Sequence, residues 1–178
     1  MIRWIYAALV GIVGAGIVHI LVLFLVPEFS ERGPWQQLSL AAPEHVLVDL
    51  ESDERFSGLD RDPLFRSVAC RYDLDAGPTR LSATGRVPFW SVSIYDRYGQ
   101  NSFSVNDRSA EGGAVDILLL TPLQMVQLQK DPLPDLARTI FVEIAPETGI
   151  AVIRAFVPDE TWARVAKDFL ETSTCERL

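Results

Sequence analysis

The run FWSVSIYDRYGQNSFSV, Phe89–Val105, alternates apolar and small polar residues on both sides of a glycine turn. Trp90, Val92 and Ile94 share one face of its first half, with Ser91 and Ser93 on the other. After Asp96, Arg97, Tyr98 and Gly99 the alternation resumes through Phe103 and Val105. Successive side chains of a strand point to opposite faces, so this period of two predicts a half-buried strand, and the glycine turn between two such runs predicts a hairpin.

Outward from the hairpin the same pattern recurs. Ser67–Leu74 places Val68, Cys70, Tyr72 and Leu74 on one face and Arg71 and Asp73 on the other, and His45–Leu50 alternates through Val46, Val48 and Leu50. Glu51–Asp62 reads as a charged loop. Gly77-Pro78 makes a turn from which Thr79–Thr84 returns antiparallel. Beyond the break at Gly112-Gly113, Ala114–Leu120 is apolar enough for a buried strand, and Thr139–Ile144 and Ile150–Val157, joined through Ala145–Gly149, predict a second hairpin.

Two helices follow late in the chain. Thr121 can cap a helix with Pro122 in its first position and Gln124 completing a capping box, ending near Lys130 before Asp131-Pro132. Pro158-Asp159 opens the last helix, where Trp162, Val165, Ala166, Phe169 and Leu170 form one apolar stripe and Arg164, Lys167 and Glu171 point outward. The fold class expected is therefore mainly β: an antiparallel β-sandwich with a short helix and a C-terminal amphipathic helix. The regularly alternating helices of a parallel α/β sheet are missing.

Ahead of this domain, Trp4–Val26 carries no charged side chain. As a helix it spans roughly 35 Å, enough to cross a hydrocarbon core with some tilt, and only a helix satisfies its backbone there. A cleaved signal peptide has a shorter apolar region and a small-residue site soon after it, so the reading is a retained transmembrane anchor. Arg3 before the span, against Glu28, Glu31 and Arg32 after it, favours a cytoplasmic N-terminus and a periplasmic C-terminal domain in a bacterial inner membrane. The organisation expected is anchor 1–27, connector 28–44 with Trp35 at the membrane interface, and an outer β-rich domain 45–178. On the anchor, Ala7, Gly11, Ala15 and His19 recur every four residues with Gly14 beside them. Such a small-residue face lets a second helix approach closely, and a polar side chain in a span usually faces a partner. The partners implied are membrane lipid and either a membrane protein or a second copy of the chain.

The net charge is −8; without Arg3, the one charge before Glu28, the outer part holds 15 basic against 24 acidic side chains, or −9. That balance repels phosphate backbones, so nucleic acid is excluded as a partner. Fourteen of the 16 basic residues are arginine, which points to a GC-rich bacterial genome. Cys70 and Cys175 lie in the outer part. In an oxidising space they predict one disulfide closing a loop of about 105 residues, a constraint that chain-entropy models rate at roughly 4–5 kcal/mol as an upper figure.

Two stretches carry a resemblance. Val87–Arg108, VPFWSVSIYDRYGQNSFSVNDR, resembles the recurrent FWS-x-x-x-YD-x-x-G strand-turn-strand of two bacterial families, the domains of unknown function 1254 and 1214. Asp62–Leu74, DPLFRSVACRYDL, is similar to the start of their short, membrane-anchored members. Larger members carry both domains in one chain, and this chain holds one. The resemblance implies a β-rich envelope domain of unassigned activity, with no catalytic residues to carry over.

No nucleophile-elbow, HExxH, P-loop, dinucleotide or EF-hand pattern occurs. A serine triad would have to use His45, since His19 lies in the span. No metal or cofactor is expected. The remaining candidate is a surface site on the hairpin: Tyr95, Asp96, Arg97, Asn106, Asp107 and Arg108. Asp96 and Asp107 would suit a paired-carboxylate hydrolase only if they stand ~5–10 Å apart; otherwise they cap turns as solvated loop charges. The serine face (Ser91, Ser93, Ser102, Ser104) with Tyr95 and Tyr98 could instead form a binding surface, and a carbohydrate-binding domain would use Asp96 and Asp107. The function expected is a non-catalytic accessory or interaction subunit of an envelope complex, with a hydrolase or carbohydrate-binding domain as the alternative.

Overall fold

A computed structural model describes the chain except residues 30–32, 53–55, 57–61, 132–135 and 146, and the side chains of 26–29 and 111. Most of the expected loop 51–62 therefore lies outside the described residues, as do Glu31, Arg32, Pro132 and Pro146. The chain divides into two units, Met1–Gly33 and Pro34–Leu178. The first holds helix α1, Ile2–Phe29, of which Ile2–Leu25 is long and apolar enough to cross a membrane. All the side chains described in that span are exposed.

In the second unit the described residues form nine strands and three helices. Strands β1 (Leu47–Asp49), β2 (Phe65–Asp73), β3 (Thr79–Ala83), β4 (Trp90–Asp96), β5 (Asn101–Asn106), β6 (Val115–Leu120), β7 (Ile140–Glu143), β8 (Thr148–Phe156) and β9 (Thr174–Arg177) are joined by helices α2 (Pro34–Ala41), α3 (Pro122–Lys130) and α4 (Glu160–Glu171). One sheet has the order β1-β2-β8-β4-β5 and is antiparallel throughout; the other runs β7-β6-β3-β9. Their inner faces share one core. Cys70, Tyr72, Trp90, Val92, Ile94 and Ile153 come from the first sheet, and Leu81, Ile117, Leu119 and Val142 from the second. The expected hairpin is present as β4–β5, with Trp90, Val92 and Ile94 buried. The Trp90 indole N–H donates to the carbonyl of Gly113 at 2.7 Å, which ties that strand to the left-handed Gly112-Gly113 turn (φ 75° and 70°).

Four expectations give way to the observed pairings. The chain is not mainly β but mixed α/β, with four helices among its described elements. The second sheet is not purely antiparallel: β6, α3 and β7 form a crossover that leaves β6 and β7 parallel, because the helix carries the chain back to the starting end. Thr79–Thr84 does form a strand, but it pairs with β6 and β9 in the second sheet rather than returning on β2. The segment after β7 likewise leaves its sheet, so β7 and β8 are not a hairpin: β8 lies between β2 and β4. In addition, the stretch expected as connector 28–44 contains α2, whose Leu38 is buried with Leu50, Phe56, Ala69 and Ile150. Trp35 packs against that cluster under the Arg71 guanidinium, 4.6 Å from the ring, so its place is on the domain.

The helix signals hold closely. Thr121 and Gln124 make the reciprocal capping box, at 3.3 Å (Gln124 N–H to Thr121 Oγ1) and 2.8 Å (Thr121 N–H to Gln124 Oε1). The carboxylate of Asp159 accepts from the Thr161 N–H at 2.9 Å and caps α4. On α4 the inner part of the stripe, Ala166, Phe169 and Leu170, is buried, whereas Trp162 and Val165 remain more than a third exposed. Thr172 clips the end of α4 to the end of β3, its hydroxyl accepting from the Thr84 N–H at 3.0 Å.

Gly149 on β8 sits opposite Tyr72 on β2 and Asp96 on β4. A Cβ there would collide with the Tyr95 carbonyl oxygen and the Tyr72 hydroxyl. The Tyr72 ring thus occupies the space that a side chain would take, and a glycine in mid-sheet often marks such close approach. Gly149→Ala should lower unfolding free energy by about 1–3 kcal/mol, the usual cost of forcing extra volume into a packed site. Urea unfolding of the two proteins measures this, and equal midpoints would refute the contact.

Candidate functional site

The hairpin does not gather its charged residues. Ser91 pairs with Asn106 and Tyr95 with Asn101, and the Asp107 N–H donates to the Trp90 carbonyl at 3.2 Å. Asp107 therefore stands beside Trp90, while Asp96 lies six residues along the same strand, roughly 20 Å away at ~3.3 Å per residue. The register thus rules out a paired-carboxylate site of these two. At the tip, Asp96 Oδ1 accepts from the N–H groups of Tyr98 (2.8 Å) and Gln100 (2.9 Å), the turn-capping role of aspartate. Arg97 lies over the exposed Tyr98 ring at 4.8 Å and donates to its hydroxyl. At the far end, Asn106 Oδ1 accepts from the Arg108 N–H at 3.1 Å, and Asp107 Oδ1 is buried without a hydrogen-bond partner. On the serine face, Ser93 and Ser104 hydroxyls bond each other at 3.0 Å, and Asn101 donates to Ser104 at 2.9 Å.

Cys70 and Cys175 form the disulfide, with Cα atoms 6.5 Å apart. Cys175 sits on β9, opposite Leu81 of β3, so the bond crosses from the first sheet to the second. The segment after α4, Thr174–Arg177, is thus a strand rather than an unpaired tail. His45, the one triad histidine, has a left-handed backbone (φ 60°) and hydrogen-bonds through Nε2 with the Thr79 hydroxyl at 3.1 Å. Burial lowers its pKa, and Arg177 adds to that, against Glu44 and Asp73. On α1, Ala7, Gly11, Gly14, Ala15 and His19 are all exposed, and a Cβ at Gly11 or Gly14 would meet nothing within 4 Å. Among the described residues no three His, Cys, Asp or Glu side chains come together as metal ligands would.

A groove of about 290 Å³ opens on the outward face of the five-stranded sheet, between α2 and the β4–β5 turn. Its floor is aliphatic: Leu38, Leu50, Ala69, Ile150 and Val152. Trp35 and Tyr95 wall it, and Arg154 stands at its edge. Of the hairpin residues expected at a surface site, Tyr95 alone lines this groove. The sequence held a sign of it. Residues 149–153, GIAVI, are apolar without alternation, as in a strand covered on both faces.

On the second sheet, Arg80 of β3 holds Asp116 of β6 in a two-point pair, Nε to Oδ1 at 2.8 Å and an Nη to Oδ2 at 2.9 Å. The Thr139 hydroxyl donates to Oδ2 at 2.8 Å. Burial pushes the Asp116 carboxyl upward, but Arg80 and Thr139 outweigh it and hold the pKa below the usual carboxylate range. Tyr72 shows the opposite: burial first, and the Asp96 charge second, raise its phenol well above the ordinary range.

An apolar N-terminal helix followed by a two-sheet α/β domain is the class these features define. Residues 66–176 match the family described as "Protein of unknown function (DUF1254)". The match covers more than half of the chain, which belongs to that family. Among solved structures, the VPA0106 protein from Vibrio parahaemolyticus shares the fold, with a TM-score of 0.61 at 11% identity over 85% of this chain and 34% of that one. A putative uncharacterized protein from Burkholderia cenocepacia has a TM-score of 0.44 at 17% identity, over 66% of this chain and 30% of that one. The chain thus spans about a third of the length of the solved proteins it resembles. No curated protein matches it.

The Asp116 pair sets an acid limit. A carboxyl whose folded pKa is depressed stabilises the fold at pH above its unfolded value, near 4, and loses that contribution as pH falls through the folded value. Asp116→Asn should cost about 1–2 kcal/mol at pH 7, on the scale of a hydrogen-bonded charge that is partly exposed. The gap to the unmodified protein should narrow at pH 3. A gap of equal size at both pH values, by urea unfolding, would contradict the assignment.

Proposed function

We propose that the chain is a single-pass protein of a bacterial inner membrane, N-terminus in the cytoplasm, whose periplasmic domain serves as a non-catalytic interaction subunit of an envelope complex. The observation that carries this reading is α1. It combines membrane length, the 24 residues Ile2–Leu25 in which Arg3 is the one charge, with small residues at every fourth position. Lipid tails are as apolar as leucine, so helices associate in a bilayer through close packing and shared polar groups, which Ala7, Gly11, Gly14, Ala15 and His19 offer on one stripe. The disulfide supports an oxidising compartment for the domain.

Intact mass of the membrane-extracted protein should begin at Met1, and protease added to spheroplasts should digest the C-terminal domain. Extraction in a mild detergent should recover a second chain, or a second copy, in fixed ratio. Gly11→Ile, which fills the stripe without adding a polar or charged group, should release it. A chain lacking its first 27 residues, or a monodisperse monomer before any substitution, would contradict the proposal.

A further inference from the structure

The turn between α2 and β1 reaches the other sheet through a histidine. His45 precedes β1 of the five-stranded sheet, and its Nε2 lies 3.1 Å from the hydroxyl oxygen of Thr79, on β3 of the four-stranded one. Thr79 shares the inward face of β3 with Leu81 and Ala83 and is fully buried. Among the described residues its hydroxyl has no other hydrogen-bond partner. A buried O–H left unmade is costly, so the Thr79 proton goes to Nε2. That makes the imidazole neutral, with its own hydrogen on Nδ1. The backbone is committed as well. His45 holds a left-handed conformation, φ 60°, which a residue with a Cβ keeps only where its surroundings demand it. Its N–H donates to the Arg71 carbonyl at 2.8 Å. Arg71 secures the rest of the segment: its guanidinium donates to Glu44 at 3.0 Å and to the Ala42 carbonyl at 3.4 Å, and lies over the Trp35 ring of α2.

Protonation reverses the His45 bond. Nε2 becomes a donor, Thr79 has to accept, and its own hydrogen is left in the core without an acceptor. The charges around the ring do not cancel this. Arg177 on β9 repels an imidazolium, Asp73 on β2 and Glu44 on the turn attract it, and Glu44 is already engaged by Arg71. Burial is the largest influence, and the balance leaves the pKa below its ordinary value. A histidine held neutral in this way stabilises the fold above about pH 6.5, and its contribution fades as pH falls below that value.

We propose that His45 and Thr79 form an acid-sensitive latch: the neutral pair ties residues 42–47 to the second sheet, and protonation of His45 loosens that segment together with α2. The latch acts on the stretch that leads into the first strand, so the seating of that stretch follows the acidity of the compartment. It stands whether or not the anchor is retained, since every residue it uses lies in the second unit.

The test is hydrogen exchange of the full chain in phosphatidylcholine nanodiscs at pH 7.5 and 5.0, with rates corrected for intrinsic pH dependence. The lower value stays above the range in which Asp116 titrates. Protection of residues 35–47 should fall about tenfold at pH 5.0, the factor that one unit of linked titration carries, while β4 and β5 keep theirs. His45→Gln offers an amide oxygen to Thr79 and does not titrate, so its protection should be equal at the two pH values. Thr79→Val removes the hydroxyl at nearly constant shape; it should loosen residues 42–47 already at pH 7.5 and abolish the pH difference. Retained protection of β4 and β5 shows that each variant is folded. Nitrogen NMR of the unmodified protein at pH 7.5 needs no variant and should find His45 Nε2 without a proton. An Nε2–H at that pH, equal protection of residues 35–47 at both pH values, or a fall shared by β4 and β5 overturns the proposal. So does a pH difference that persists in either variant.

Discussion

The Cys70–Cys175 bond is the constraint on which the arrangement of this domain depends. It joins the inner face of β2, in one sheet, to β9, a strand at the edge of the other. β9 has four residues and pairs only with β3 among the described strands, so its hydrogen bonds alone would hold it weakly. The loop closed by the bond spans 105 positions, and a closure of that length removes roughly 4–5 kcal/mol of chain entropy from the unfolded ensemble in the loop model. With β9 fixed, α4 is tied at its C-terminal end by Thr172 on Thr84, and Ala166, Phe169 and Leu170 close over the core. Reaching across the core, the bond ties the edge strand β9 to β2 of the other sheet.

What the sequence revealed was local. The β4–β5 hairpin, the Thr121–Gln124 box and the α4 stripe are each specified within about a dozen residues, by alternation, by capping chemistry and by helical period. What it hid was long-range pairing. The turn at Gly77-Pro78 looks like a reversal onto β2, yet nothing local tells a strand whether to return or to cross to the other sheet. The same holds between β7 and β8, whose sequence spacing suits a hairpin although they lie in different sheets. α2 was missed because its proline-rich surroundings read as a connector, although Pro34 occupies the first helical position, where proline is favoured. β9 was missed because four residues are too few to show a period.

The candidate site follows the same division. Four of the six hairpin candidates carry charge, and the register places the six at the two ends of the hairpin, where Asp96 and Asn106 cap turns. The surface with the better claim to bind something is apolar, and it is assembled from α2, β2, β4 and β8, whose sequences lie far apart. Tyr95 is the one residue common to both. Membership of a family of unknown function supports the fold without assigning chemistry to it, so the case for binding rests on that groove and on α1.

The claim at the centre of this account is that the disulfide holds β9 and α4 onto a sheet that is otherwise self-sufficient. Hydrogen exchange of the intact protein, followed by mass spectrometry with and without a mild reductant, tests it directly. On reduction, the amides of α4 and β9 should lose protection first, while those of β2, β8 and β4 keep theirs. Simultaneous loss across both sheets, or no change anywhere, would contradict it.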